Sequence, residues 1–279
     1  MEKGFMEYYP YNDQIKNSLL EFRRIPTKIL PHKNVKWQYL VLGEGNRTIL
    51  FLHGMGGAYD IWWQQILSLK DDYQTVSVTY PPVKSLHGLA EGIIEILKNE
   101  EIEEVFVVGS SLGGYLAQYL TSFYPDIVKK AVFGNTFPPN DLYEKENRWL
   151  IKLVHLLPNS VVMQILKRRM LKNVVPASQN SPIVRAYILE MCERKMNKAD
   201  LLARYRCVIE KFLPCCHSCK ASLMLIESEN DPMVPPQLRK TLKGMYNFKR
   251  VYTFKNEGHF PYLCAAEEYT KLLVDFFGI

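Results

Sequence analysis

The stretch "VFVVGSSLGG", residues 105–114, runs from a short apolar segment into two serines and three glycines. The spacing G-x-S-x-G falls on Gly109, Ser111 and Gly113, after a predicted strand and at the start of a predicted helix, as the nucleophile-elbow motif requires. A nucleophile on such a strained turn crowds the residues two before and two after it, so only very small side chains fit there. The pattern therefore selects Ser111 over Ser110 as the candidate nucleophile. No Lys follows the glycines as it does in a phosphate-binding loop.

A serine hydroxyl needs a nearby general base and a group that orients this base. In proteins with this motif the acid and then the histidine follow the serine along the chain. His259 lies in "NEGHFPY", a loop after the last predicted strand, whereas His217 in "CCHSC" precedes a strand. We take His259 as the candidate base and Asp231 in "IESENDPMVP" as the candidate orienting acid, with Glu227 as the second choice. The simpler alternative for Asp231 is an acid that shapes a turn and caps the following helix.

The segment "FLHGMGG", residues 51–57, forms a glycine-rich turn after the third predicted strand. Here the Met55 N–H can face the same point as the Leu112 N–H, so these two backbone groups are the candidate oxyanion hole. His53 belongs to this turn and precedes the nucleophile, which favours a loop-shaping role over that of a base. The aromatic side chains of "DIWW", residues 60–63, are predicted to pack in the core or a pocket wall.

Short runs rich in Val, Ile, Phe and Leu alternate with segments of helical period along most of the chain. The predicted strands are residues 21–30, 35–43, 48–54, 74–80, 103–109, 129–135, 221–228 and 249–255. Residues 85–99 and 111–124 carry apolar side chains on one stripe, the second including Phe123, as expected of helices that cover a sheet. This alternation predicts an α/β fold with a mostly parallel sheet and helices on both faces.

Residues 137–220 interrupt the alternation, because they are helical in character and too long for a structureless loop. We interpret them as a helical cap inserted into a core made of residues 1–136 and 221–279. The chain has a net charge of +6, yet residues 137–220 alone hold 15 Lys and Arg against 7 Asp and Glu. Such a surface could attract acidic substrates, nucleic acid or anionic lipid. The sequence has no nucleic-acid-binding motif, and a solvated basic face is the simpler reading.

The composition, 47% hydrophobic and 23% charged, is that of an ordinary globular protein. No run approaches the roughly 18 apolar residues of a membrane span, and the first residues do not resemble a secretory signal, so a cytoplasmic protein is expected. Cys216 and Cys219 in "PCCHSC" have the C-x-x-C spacing of zinc ligands. No second pair accompanies them, so we expect free thiols and no metal.

The segments "FLHGMGG", "VVGSSLGG", "IESENDPMVP" and "NEGHFPY" stand in the order typical of the α/β-hydrolase superfamily, which the chain therefore resembles. Within it, "DIWWQQILSL", "VGSSLGGYLAQYL" and "FPYLC" are similar to the maspardin branch. The resemblance implies an eight-stranded sheet with an inserted cap and no cofactor. It also implies Ser111 as nucleophile, with Asp231 and His259 as its partners and with Met55 and Leu112 as oxyanion donors.

Two functions are consistent with these patterns. The first is a serine hydrolase that cleaves a small-molecule ester or related carbonyl compound through an acyl-enzyme; carbon-carbon bond hydrolysis and peptidase action stay open as other chemistries of the fold. The second is a maspardin-like interaction protein without catalysis, which docks an acidic partner through the basic cap. The resemblance implies that this branch binds partners and does not reliably keep the base histidine or the "HG" turn. This sequence has His53, Gly54 and His259, which favours the enzyme.

Overall fold

Eight strands form a single sheet in the computed structural model, which describes residues 4–11 and 13–278 without the side chains of residues 148, 150 and 217. The strands are β1 (Lys28–His32), β2 (Val35–Leu42), β3 (Thr48–Leu52), β4 (Gln74–Thr79), β5 (Val105–Ser110), β6 (Val128–Gly134), β7 (Ser222–Ser228) and β8 (Arg250–Phe254). Their order across the sheet is β1-β2-β4-β3-β5-β6-β7-β8. Only β2 runs against its neighbours β1 and β4, and all other pairs are parallel. The predicted α/β fold with a mostly parallel, eight-stranded sheet is confirmed.

The position predicted for the first strand, residues 21–30, is wrong in its first part. Residues 14–22 form a helix instead, whose first turn is capped by the Asp13 carboxylate, which accepts a hydrogen bond from the Lys16 N–H at 3.1 Å. Leu19 and Phe22, three residues apart on this helix, are fully buried. β1 begins only at Lys28 and joins β2 through a two-residue turn with positive φ angles, the geometry that suits a tight hairpin.

Helices cover both faces of the sheet. They are α1 (Gly4–Tyr8), α2 (Gln14–Phe22), α3 (Trp63–Leu69), α4 (Leu86–Asn99), α5 (Leu112–Phe123), α6 (Leu142–Leu156), α7 (Asn159–Ala177), α8 (Pro182–Glu190), α9 (Lys198–Ile209), α10 (Pro236–Met245), α11 (Pro261–Cys264) and α12 (Ala266–Phe277). One apolar layer joins α3 and α12 to the sheet and a second joins α4, α5 and α10. Successive residues of β5 point to opposite layers, as the strand period requires. Phe123, predicted on the buried stripe, is half exposed.

Residues 137–220, here called the cap segment, lie between β6 and β7. They contain α6 to α9 and a π-helical turn at Met191–Lys195, and their backbone, which is described throughout, includes no strand. Its treatment as a separate inserted unit stays a prediction. None of the described helices combines the length and the apolar run that crossing a lipid bilayer takes.

A buried group of charges joins the cap segment to the rest of the chain. The Asp60 carboxylate accepts hydrogen bonds from Arg23 Nε at 2.7 Å, Lys195 Nζ at 2.8 Å and the Tyr187 hydroxyl at 2.7 Å. Arg23 also donates to Glu190 on α8 at 2.6 and 3.0 Å. Burial acts to raise the pKa of Asp60, but Lys195 and Arg23 outweigh it and hold this pKa below its ordinary value. Two cations and two carboxylates thus neutralise each other where α2, the turn at residue 60 and α8 meet.

We expect Asp60→Ala to lower the free energy of unfolding by about 3 to 5 kcal/mol, because it leaves the buried Arg23 guanidinium without one of its two carboxylates and the buried Tyr187 hydroxyl without its acceptor. Asp71→Ala is the control, since its pair with Lys70 is on the surface, and we expect a change within about 0.5 kcal/mol. Urea unfolding measures both values. Equal costs for the two substitutions would contradict the structural role of the buried group.

Candidate active site

Ser111 occupies the sharp turn between β5 and α5. Its φ and ψ angles are 56° and −119°, a strained backbone for a non-glycine residue. A Cβ on Gly109 would lie 2.1 Å from the Gly113 carbonyl oxygen, and one on Gly113 would lie 2.1 Å from the Leu52 carbonyl oxygen. The two glycines of the motif are therefore required by contacts of the turn with itself and with β3.

The strained turn gives the side chains of the two adjacent serines different surroundings. Ser110 is 1% exposed, and its hydroxyl lies beside the buried Tyr262 side chain and lines neither cavity described below. The side chain of Ser111 lines two cavities and does not cap α5. The Ser111 N–H donates to the Gly134 carbonyl and its own carbonyl accepts from the Thr136 hydroxyl, so the peptide groups on either side of it are fixed. The choice of Ser111 from glycine spacing agrees with this geometry.

His259 and Asp231 meet beneath the cavity. His259 Nδ1 lies 2.8 Å from Asp231 Oδ2 and 3.0 Å from Oδ1, and because a carboxylate accepts, Nδ1–H is the donor. Both side chains are buried, and His259 lines the same cavity as Ser111. The second-choice acid, Glu227, is bound instead by Lys243 and Thr253.

Asp231 is held by four different donors. Besides His259, Oδ1 accepts from the N–H groups of Met233 and Val234 at 2.8 and 3.3 Å, so this acid also shapes its turn as the simpler alternative proposed. Oδ2 accepts from Asn135 Nδ2 at 2.9 Å. The same amide of Asn135 donates to the carbonyl of Gly258, the residue before the histidine. Asn135 therefore fixes the position of the Asp231 carboxylate relative to the loop that carries His259.

The sequence analysis assigned no role to Asn135. It follows β6 with a φ of 38°, in a region that Asn tolerates better than most residues. A polar residue directly after a buried strand, at the edge where the other candidate residues lie, was the available signal.

His53 orients the turn that follows β3. Its Nε2 accepts the Tyr80 N–H at 3.1 Å, which leaves the ring proton on Nδ1, and Nδ1–H donates to the Gly54 carbonyl at 2.6 Å. Because a trans peptide points its carbonyl and N–H in opposite directions, this bond turns the Met55 N–H away from His53. Burial and the nearby Arg204 cation lower the pKa of His53 well below its ordinary value, so the ring stays neutral. The expected loop-shaping role of His53 agrees with these contacts.

Arg204 extends from α9 in the cap segment into the same turn, and the sequence analysis did not single it out. Its guanidinium donates to the carbonyls of Met55 at 2.6 Å, Gly57 at 3.1 Å and Tyr80 at 3.1 Å. The side chain is almost fully buried. A cation that binds three backbone carbonyls fixes the orientation of their peptide groups, including the one that follows Met55 in the chain. No local pattern could reveal this, because all three partners are main-chain atoms about 120 to 150 residues away.

Two cavities meet at Ser111. The narrow cavity has a volume of about 100 Å³ and is lined by Gly54, His259, Phe260, Tyr187 and Ile188, among others. The wide cavity has a volume of about 260 Å³ and extends under α6 and α9, past Phe137, Tyr143, Ile151 and Val208. Both share the residues Met55, Ser111, Leu166, Met170 and Met233. Ile61 of the "DIWW" segment lines the narrow cavity, and Trp62 and Trp63 are fully buried in the core.

The thiols of residues 215–219 lie apart from Ser111. A hydrogen bond from Cys219 lowers the pKa of the Cys215 thiol and raises that of Cys219. The side chain of His217 is outside the described residues, and among those described no group of three or more His, Cys, Asp or Glu side chains is arranged to hold a metal ion. Cys264, which received no catalytic role, ends the short helix α11.

The buried neutral His53 predicts a loss of stability in mild acid. The unfolded chain binds a proton at this residue below about pH 6.5 and the folded chain does not, so the free energy of unfolding falls as the pH drops below that value. The slope attributable to His53 approaches about 1.4 kcal/mol per pH unit. Urea titrations between neutral and mildly acidic pH should show this slope in the wild type and a shallower one in His53→Asn. The same slope in both proteins would contradict the assignment.

Comparison with known proteins shows the family and the fold of this chain. The profile of the alpha/beta hydrolase family matches residues 49–272. Maspardin from Danio rerio is 23% identical over 224 residues, which cover 79% of this chain and 70% of that protein. A hydrolase from Pseudomonas aeruginosa superposes with a TM-score of 0.79 at 17% identity, over 91% of this chain and 98% of that one. An enol-lactonase from Burkholderia xenovorans LB400 gives 0.77 at 16% identity, over 90% and 99%. On the family match and the fold, the chain belongs to the alpha/beta hydrolase family.

Proposed function

We propose that this protein is a serine hydrolase that cleaves a small apolar carboxylic ester through an acyl-enzyme. The observation that carries the proposal is the hydrogen bond between His259 and Asp231 beside the strained Ser111, with serine and histidine lining one cavity. A histidine whose Nδ1 is held by a buried carboxylate has Nε2 left for proton transfer, as in Ser-His-Asp hydrolases. Membership of the hydrolase family supports the reaction class.

In the proposed mechanism, Ser111 Oγ attacks the ester carbonyl while His259 Nε2 takes its proton. The negative charge then forms on the carbonyl oxygen, and the N–H groups of Met55 and Leu112 stabilise it. Leu112 is the first residue of α5, so its N–H has no acceptor within the helix and adds the positive end of the helix dipole. His259 returns the proton to the leaving alcohol, and water then hydrolyses the acyl-enzyme by the same steps. Each backbone donor of this kind contributes about 10²- to 10³-fold to the rate.

We propose that each cavity holds one part of the ester substrate. The histidine must deliver its proton to the leaving oxygen, so the alcohol lies on the side of His259, which lines only the narrow cavity of about 100 Å³. The acyl chain then lies in the wide cavity of about 260 Å³, whose walls are mostly apolar. The favoured substrate is an ester of a small alcohol with a larger apolar acid.

A second candidate function is a binding protein on a hydrolase scaffold, supported by the similarity to maspardins and by the basic cap segment. Its test is partner capture that survives Ser111→Ala and weakens with salt or with charge reversal at Arg168 and Arg169. Lys167 is a poorer choice, because it already pairs with Glu193 at 2.8 Å. Catalysis and partner binding use different residues, so each can be tested alone.

We expect a fluorophosphonate probe to label the wild-type protein and to fail on Ser111→Ala, because the probe reacts only with an activated serine. Ser110→Ala is the matched control: it removes the adjacent hydroxyl, which has no role in the mechanism, and should keep its labelling. Hydrolysis of an activated ester should fall by about 10⁴-fold or more in Ser111→Ala and in His259→Ala. A folded wild-type protein that the probe does not label would contradict the proposal.

We expect kcat/KM to rise with acyl length and to fall as the alcohol becomes bulkier, because the wide cavity holds the acid. A panel of alkyl esters that varies one part at a time measures both trends. Ile151→Trp, which fills the wide cavity, should reduce kcat/KM for the longer acids by about 10- to 100-fold and leave acetate esters nearly unchanged. A preference for short acids and bulky alcohols would contradict this assignment of the acyl chain to the wide cavity and of the alcohol to the narrow one.

A further inference from the structure

The outer side of α6 and α7 exposes an unusual number of large apolar side chains. On α6 these are Trp149, Leu153 and Leu156, spaced by four and three residues and therefore on one face. Trp149 is 67% exposed and Leu156 is 83% exposed. Val161 and Ile165 continue the exposed apolar side chains on α7 directly after the connecting turn. Scattered single apolar residues need no explanation, but three large ones on a single helix face, followed by two more on the next helix, mark an interaction surface.

Basic side chains flank this stripe. Lys152 lies beside it on α6, and Arg168 and Lys172 follow Ile165 at three and seven residues on the same side of α7. All three are exposed, and within the described part of the chain none of them has a carboxylate partner. The sequence explains why: no acidic residue occurs between Glu146 and Glu190, whereas seven Lys and Arg do. The surface is thus apolar in its centre and positive around it.

We propose that this surface docks the protein onto an anionic lipid bilayer. Its apolar centre consists of Trp149, Leu153, Leu156, Val161 and Ile165, and its basic flank consists of Lys152, Arg168 and Lys172. A Trp and aliphatic side chains on one helix face, with Lys and Arg beside them, are what an interfacial membrane-binding helix presents. The apolar side chains enter the boundary between headgroups and acyl chains, and the cations remain at the level of the lipid phosphates. Lys and Arg can do this because their long stems keep the charge in water.

The charge distribution decides against a second copy of this chain as the occupant. A symmetric dimer would bring the same surface of both chains together, so the unpaired cations around the two apolar centres would face each other. A negatively charged bilayer offers charges of opposite sign over the whole surface. The docking does not depend on the proposed chemistry, although the inner side of α6 lines the wide cavity through Tyr143 and Ile151.

Sedimentation with lipid vesicles tests the proposal. We expect the wild-type chain to bind vesicles of phosphatidylcholine mixed with phosphatidylserine much more strongly than vesicles of phosphatidylcholine alone, and to be released by salt. Lys152→Gln and Arg168→Gln should each lower the partition coefficient about fivefold, the value of one cation near an anionic surface. The double variant Trp149→Gln with Leu156→Gln should lower it about tenfold or more.

Ile29→Gln with Lys36→Gln is the matched control. It changes the same kinds of side chain on the β1–β2 hairpin at the sheet edge, where both are exposed, and should leave binding unchanged. Circular dichroism and thermal melts show whether each variant is folded. Equal binding to both vesicle types, or equal losses in the control and the cap variants, overturns the proposal. So does a failure to bind at low salt. A concentration-dependent dimer that the Trp149 and Leu156 changes abolish also overturns it, because it assigns the surface to a second copy.

Discussion

The close approach of β3 to the start of α5 is the contact on which the site depends. The Leu52 carbonyl lies where a Cβ of Gly113 would be, so the turn after β5 packs directly against the end of β3. This contact forces the backbone of Ser111 into its strained conformation. It also places the turn carrying Met55 beside the serine, because β3 and β5 are neighbours in the sheet. The carboxyl ends of parallel strands meet at one edge, so the loops after β7 and β8 bring Asp231 and His259 to the same place.

The cap segment is joined to the core by polar groups as well as by apolar packing. The buried charges around Asp60 connect α8 to α2, and Arg204 connects α9 to the turn after β3. Buried ion pairs contribute little net stability, because desolvation offsets most of their attraction. Their directional hydrogen bonds do require one arrangement of the partners. We infer that these contacts set the orientation of the cap segment above Ser111, whereas the apolar layers provide most of the stability.

The sequence was sufficient for the features that local rules govern. Glycine spacing was enough to select Ser111 as the candidate nucleophile, which stays a prediction, and the short apolar runs predicted the eight strands and their mostly parallel arrangement. The first strand was misplaced, because the apolar residues Leu19, Leu20 and Phe22 belong to the end of α2 and its Asp13 cap was overlooked. Asn135 and Arg204 were missed for a different reason. Their roles consist of hydrogen bonds to groups far away along the chain, and these contacts exist only once the sheet has brought the loops together.

The three carbonyls bound by Arg204 also limit how a substrate can reach the wide cavity. If α9 moved outward, the Met55, Gly57 and Tyr80 carbonyls would lose a charged donor in a buried place, which costs several kcal/mol. The same motion would release the peptide planes next to the Met55 N–H. The helix α6 forms the opposite wall of that cavity and is held there by neutral hydrogen bonds, from the Tyr143 hydroxyl to the Met233 carbonyl at 3.1 Å and from the Tyr205 hydroxyl to the Tyr143 carbonyl at 2.7 Å. Displacing α6 breaks neutral hydrogen bonds, whereas displacing α9 leaves a buried cation and its carbonyls unpaired, so an opening at α6 costs less and keeps the turn after β3 in place.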